Sequence, residues 1–109
     1  MDSTNSYDLF KTHMDTMIFK ILLDRDHYGY EIIKLIQQNS GGELKLKEGS
    51  VYPILRRMES NGSIARYWDD ETAQGARRKY YRITEKGKLL YTENKKNWEY
   101  TKRVLNRLL

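Results

Sequence analysis

Apolar residues recur at three-and-four spacing over residues 7–23, at Leu9, Phe10, Met14, Met17, Ile18, Ile21 and Leu22, which is the period of one face of an amphipathic helix. Asp24, Arg25 and Asp26 interrupt the pattern with charge, and His27, Tyr28 and Gly29 read as a short connector. A second helix is predicted over residues 30–38, with Ile32, Ile33, Leu35 and Ile36 on its apolar side. It closes at Asn39-Ser40-Gly41-Gly42, where glycine can take the positive φ that ends a helix. Residues 43–47 then cross to a third helix, from Glu48 or Gly49 to Ser60, ended by Asn61-Gly62. Two helices joined this way suggest a helix-turn-helix, with a connection longer than the tightest forms of the motif.

Beyond the third helix the period changes. Residues 64–69 and 77–83 are rich in Tyr, Trp and Ile, and the polar stretch 70–76 between them contains Gly75, so the two runs read as a β-hairpin. Thr84 is a plausible N-cap and Glu85 suits the positive end of a helix dipole, so a last helix is expected from there to Leu109, weakened only at Gly87. That helix would be about 26 residues and ~39 Å long. Tyr91, Trp98 and Leu105 stand seven residues apart along it, with Thr101 and Leu108 between, forming one seam. A domain this small cannot cover such a seam alone, which implies a symmetric homodimer with Tyr91, Trp98, Leu105 and Leu108 at the contact. The expected fold is therefore mainly α with a small β-hairpin wing. A winged helix-turn-helix spans 1–83, a C-terminal dimerisation helix spans 84–109, and the two make one compact unit.

Composition narrows the setting. The chain has 109 residues, enough for one domain, and is 39% hydrophobic and 32% charged, a small core under a very polar surface. It has no cysteine, so disulfides and thiolate metal sites are excluded. No apolar run approaches the ~18 residues of a spanning helix, and residues 1–11 lack the basic start and apolar stretch of a signal peptide. A soluble, cytoplasmic protein without a membrane partner is the expectation. Net charge is +5, unevenly spread: residues 1–44 hold 4 basic and 7 acidic side chains, and residues 45–109 hold 16 and 8. The second part thus carries a positive field suited to a polyanion, although basic residues that merely solubilise a helical surface would give the same count.

The third helix sharpens this. Val51, Ile54, Leu55 and Met58 share its apolar side, leaving Ser50, Pro53, Arg56, Arg57 and Ser60 largely on the other. Pro53 is expected in the first turn, where its missing N–H costs no internal hydrogen bond. A helix entering the major groove of double-stranded DNA needs small residues near its N-terminus and donors along its outer face, and Gly49, Ser50, Arg56 and Arg57 meet that need. Solvated surface arginines are the alternative reading of an Arg-Arg pair. In the hairpin, Arg77-Arg78-Lys79 follows the Gln74-Gly75-Ala76 tip, and three adjacent cations call for an anion such as phosphate. Tyr80 and Tyr81 anchor the strand. His13 and His27 lack a partner at ligand spacing, so packing or surface roles are expected and no metal. Asp69-Asp70-Glu71 reads as a solvated acidic run. Neither a phosphate loop nor a nucleophile elbow occurs, so no enzyme and no cofactor are expected.

The succession Tyr28-Gly29-Tyr30-Glu31-Ile32, Gly49-Ser50-Val51-Tyr52-Pro53-Ile54-Leu55, Arg57-Met58-Glu59-Ser60-Asn61-Gly62 and Arg78-Lys79-Tyr80-Tyr81-Arg82-Ile83-Thr84 resembles the signature of PadR transcriptional regulators in order and spacing. The resemblance covers nearly the whole chain. It implies a winged DNA-binding domain, dimerisation by the C-terminal helix partly against the partner's first helix, and repression of transcription at a palindromic operator. The DNA-contacting set it implies is Gly49, Ser50, Tyr52, Pro53, Arg56, Arg57, Arg77, Arg78 and Lys79. The single C-terminal helix is similar to that of the smaller subgroup, which includes the lactococcal multidrug-binding regulator. By that analogy Trp98 is a platform for a flat aromatic small molecule in a dimer pore, or else an ordinary dimer-core tryptophan; a drug-binding module around Trp98 is the alternative function. One departure is Ser63-Ile64, where the family commonly has an apolar residue before Ile, and it implies looser packing at the helix-strand junction.

Overall fold

Among residues 6–69 and 77–109, which the computed structural model describes, the chain forms α1 (Ser6–Phe10), one 3-10 turn (Lys11–His13) and α2 (Met14–Asp24). These are followed by β1 (His27–Tyr28), α3 (Gly29–Asn39), α4 (Glu48–Ser60), β2 (Ile64–Asp69), β3 (Arg78–Ile83) and α5 (Glu85–Leu108). The mainly α architecture with a β-hairpin wing is therefore the fold. The strands make one antiparallel sheet in the order β1-β3-β2, with Ile64 opposite Ile83, Arg66 opposite Tyr81 and Trp68 opposite Lys79. The hairpin tip, Gln74-Gly75-Ala76, and the acidic pair Asp70-Glu71 lie outside the described residues.

Three elements differ from the sequence expectation. The first helix is broken: α1 and α2 are separated by the 3-10 turn, and Leu9 and Phe10 are 65% and 41% exposed while the buried face begins at Met14. A 3-10 segment turns ~120° per residue against ~100° in an α-helix, so three residues swing the apolar face by about 60°. The connector at 27–28 is a strand, pairing His27 with Tyr81 and Tyr28 with Tyr80. Two residues are too few to show an alternating pattern. His27 is buried, and its Nδ1 lies 3.1 Å from Glu31 Oε1, an oxygen that also accepts from the Tyr28 N–H at the start of α3.

The third difference is the junction of α4, β2 and α5. Ser63, in place of an apolar residue, is buried, and its hydroxyl donates to the Met58 carbonyl at 3.1 Å, as its N–H does at 3.0 Å. The junction is closed rather than loosened, because the short polar side chain satisfies a carbonyl at the helix end. The Ser63 carbonyl in turn accepts from the Thr84 N–H, and Thr84 caps α5 as expected, its hydroxyl accepting from Gly87 N–H and donating to the Gly62 carbonyl. Gly87 is no weak point. A Cβ built there would stand 2.2 Å from the Ser63 carbonyl oxygen and 2.7 Å from Ile83 Cγ1, so its bare backbone is what allows α5 to lie against the winged unit.

The core gathers Met14, Ile18, Phe19, Ile21 and Leu22 of α2, Ile32, Ile33 and Ile36 of α3, Val51, Leu55 and Met58 of α4, and Ile64, Tyr81 and Ile83 of the sheet. Leu44 and Leu46 of the α3–α4 connection join them; this connection is held by Gln37 Nε2 donating to the Leu46 carbonyl and by Ser40 Oγ accepting from Leu44 N–H. From α5 only the first turns take part, through Gly87, Leu90 and Tyr91. The radius of gyration is 15.4 Å, above the roughly 13 Å of a compact chain this long, because the rest of α5 extends past the core. No helix is long and apolar enough to cross a membrane among the described residues.

Replacing Gly87 with alanine should lower stability by about 2 kcal/mol, the cost of overpacking, although alanine is the better helix former. Thermal unfolding measures it, and an unchanged midpoint would contradict the close contact.

Candidate nucleic-acid interface

On a helical projection, Gly49, Pro53, Arg56 and Ser60 fall within about 60° of arc on α4, opposite Val51, Leu55 and Met58. All four are exposed, with Ser50 half-buried at one side. This outer stripe is short side chains at the N-terminal end and a guanidinium farther on, the shape required for close approach followed by hydrogen bonding. Pro53 is the sixth residue of the helix and not in its first turn as expected. Its ring withholds the N–H that would serve the Gly49 carbonyl, which the helix tolerates because residue 49 is exposed.

Among the described residues nothing requires Gly49 to be glycine: a Cβ there would meet none of their atoms within 4 Å, and its φ is not in the left-handed range. Gly29 contrasts with it: a Cβ there would stand 2.6 Å from Cε1 of Tyr52. Tyr52 is thus packed on the start of α3, half-buried, its hydroxyl pKa raised first by burial and then by Glu48. It braces α4 from one flank. Arg57 braces the other, donating from both terminal nitrogens to Asp15 of α2 at 2.7 and 3.1 Å. That hydrogen-bonded pairing is the main cause of its raised pKa. Of the two adjacent arginines, Arg56 lies on the outer stripe and Arg57 is turned toward the body of its own chain.

The wing carries its cations against aromatic rings. Arg78 lies 4.6 Å from the Tyr28 ring centroid and Arg77 5.0 Å from that of Trp68. Lys79 is half-buried opposite Trp68. Tyr28, Tyr80 and Tyr67 form a ladder, edge-on at 5.6 Å and stacked at 5.8 Å, that ties the ribbon to β1. Tyr67 ends it by donating 2.7 Å to Asp26 Oδ2, which pushes its own pKa up to about 12. On the opposite face Arg66 pairs with Glu59 of α4 at 2.8 Å. Arg66 thus ties the ribbon to the C-terminal end of α4.

The sequence model of the transcriptional regulator PadR-like family matches residues 18–93, from α2 through the wing into α5. The chain belongs to this family. Solved structures agree: a transcriptional regulator from Clostridium thermocellum is 39% identical, with 92% of this chain and 96% of that one covered and a TM-score of 0.83. A PadR family transcription regulator from Clostridium difficile is 42% identical over 88% and 97%, at 0.77. A PadR-like transcriptional regulator from Bacillus cereus is 30% identical over 93% and 95%, at 0.80. PadR-like proteins are DNA-binding regulators of transcription and not enzymes, and this PadR-like chain is one of them.

On this PadR-like scaffold Gly49, Pro53 and Arg56 share the outer stripe of α4 with Ser50 at its side, Arg77 and Lys79 lie on the wing with Trp68 and Arg78 lies on the opposite face with Tyr28, while Tyr52 and Arg57 pack on Gly29 and Asp15. Sequence reasoning passed over Asp15, Tyr28 and Trp68, for their partners are distant in the chain or belong to the aromatic pattern of a strand. The C-terminal seam also divides. Tyr91 packs on its own chain's core, whereas Trp98 is 41%, Leu105 46% and Leu108 73% exposed.

Arg57→Ala and Asp15→Asn should each lower stability by up to about 1 kcal/mol, with the double variant little worse than either single one. Denaturant unfolding of the four proteins checks it; simple additivity would mean that the pair contributes nothing.

Proposed function

We propose that this PadR-like protein is a homodimeric repressor of a palindromic operator. Each copy lays the outer stripe of α4 in a major groove and sets its wing on the neighbouring backbone, and the C-terminal halves of α5 join the two copies. Repression follows from occupancy, since a dimer spanning both half-sites blocks the promoter it covers. Gly49 carries the DNA-facing part of the reading: a helical glycine of ordinary φ, with open space around it among the described residues, costs the helix some stability and leaves room for a surface that comes close. For the dimer, the support is the exposed apolar half of α5 together with Leu9 and Phe10 of α1, which border a cleft of about 320 Å³ with Trp98.

Selection of bound duplexes from a random pool should return a two-fold symmetric site. Gly49→Ala should leave the fold intact or stabilise it by about 0.5–1 kcal/mol while weakening binding to the selected duplex roughly tenfold. Full affinity in that variant would remove α4 from the groove, and an asymmetric single half-site bound by one copy would remove the dimer.

An effector is the finer part of the reading. Trp98 presents a half-exposed indole beside the cleft, with the Lys102 ammonium 4.6 Å from its ring centroid. A flat aromatic molecule that displaced this ammonium would stack on the ring and, by spreading the α5 contact, release DNA. The same site as an end in itself makes the protein a small-molecule module, with DNA contact as its readout. Titration with a flat aromatic cation should quench tryptophan emission in the wild type and not in Trp98→Ala. Equal quenching in both would place the ligand elsewhere.

A further inference from the structure

The two cation–ring pairs of the wing differ in how much of the ring is covered. Tyr28 is half-buried and braced by Tyr80, whereas Trp68 is 52% exposed, a large apolar surface on a strand that leaves the body of the domain. A lone exposed apolar side chain is ordinary. Trp68 is distinguished by where it stands and by what stands with it.

Its face of the ribbon is defined by its neighbours. Side chains alternate along a strand, so Trp68 shares a face with Arg66 and Ile64, and across the ladder with Lys79, Tyr81 and Ile83. Ile64, Tyr81 and Ile83 on that face are in the core, and Arg66 reaches Glu59 near the C-terminal end of α4. The pKa of the Tyr81 hydroxyl is raised, by burial first and then by Glu59 and Tyr52, against the opposing pull of Arg66 and Arg56. Charges from α4, including Arg56 of the outer stripe, therefore act on this face. Trp68 and Lys79 come two residues farther along the same face, about 7 Å beyond Arg66 and Tyr81. They continue, toward the free end of the ribbon, the face that Arg66 ties to α4 through Glu59.

We propose that Trp68 is a DNA-contacting residue of the wing, its indole packing on the sugar-phosphate wall beside the groove that α4 occupies and holding Arg77 for the adjoining phosphate. Deoxyribose is apolar along its carbon edge and phosphate is anionic, so an indole flanked by Arg77 on its ring and by Lys79 across the ladder matches both parts of that wall. The guanidinium N–H groups lie in the plane of the group, so one arginine can lean on a ring and bind an oxyanion at its edge. The proposal rests on the DNA-facing geometry proposed above and adds to it an aromatic contact on the wing.

The chain has two tryptophans, so wild-type protein labelled with 5-fluorotryptophan gives two fluorine resonances, of which the Trp68→Phe variant assigns one. At saturating duplex, confirmed by fluorescence anisotropy, the Trp68 resonance should move and lose its solvent isotope shift. A resonance that keeps its position and its isotope shift on fully bound duplex overturns the proposal and leaves the α4 reading standing; failure of the wild type to bind any duplex removes both. Movement of the resonance with protein concentration alone, in the absence of DNA, would assign Trp68 to a second copy of the chain and also overturn it. As an independent measurement, Trp68→Ala should weaken duplex binding roughly fivefold to tenfold and flatten the salt slope by about one unit. Trp68→Phe should keep most of the affinity, and Trp68→Ala combined with Arg77→Ala should cost less than the product of the two. Wild-type affinity and slope in Trp68→Ala would contradict the assignment.

Discussion

The contact on which the geometry of this molecule depends is made by a side chain that is missing. Gly87 brings the first turn of α5 so close to the Ser63 carbonyl and to Ile83 that no Cβ fits between them. Around that contact Ser63 closes the end of α4, Thr84 caps α5 and reaches back to Gly62, and Lys86 donates to the Asn61 carbonyl. The end of α4, the base of the wing and the start of α5 therefore meet at one place. Movement of α5 cannot be absorbed by a loop there, because β3 and α5 are separated by Thr84 alone. Any partner held by the far half of α5 is held at a set distance and angle from α4.

The same economy marks the surface of α4. Tyr52 against Gly29 and Arg57 against Asp15 prop the helix from its two flanks, and the stripe between them is exposed. Neighbouring residues of one helix thus differ in what they touch, Arg57 pairing with Asp15 while Arg56 stays on the outer stripe. The wing arginines are held as well, since Arg77 and Arg78 lie against rings and keep less conformational freedom than solvated arginines would. Glycine serves two packing ends here, Gly87 admitting a backbone and Gly29 a ring, whereas Gly49 faces open space among the described residues.

Much of this was legible in the sequence. The helical period located α3 and α4 to within a residue, the aromatic runs located the hairpin, and Thr84 announced the start of α5. Legibility failed where a local pattern met a tertiary demand. Leu9 and Phe10 kept the helical period while a 3-10 turn rotated them out of the core, and the two-residue strand β1 had no room for a pattern. Gly87 read as a flaw because propensity is a property of one helix, whereas the close approach is a property of two elements. Arg57 and Arg56 were indistinguishable as letters and parted only by some 100° of helical rotation, which mattered once Asp15 stood on one side. Ser63 read as loosening because its acceptor, the Met58 carbonyl, becomes an orphan only when α4 ends.

In the dimer we propose, α5, locked to the winged unit at Gly87, holds two copies of α4 in one fixed relation. Affinity for duplexes carrying two half-sites at stepped separations tests it most directly, since each added base pair turns one half-site by about 34° relative to the other. A single optimum is expected near one helical turn, ~10 base pairs between half-site centres, with a loss of at least about tenfold when two base pairs are added or removed. Equal affinity across all separations would contradict it.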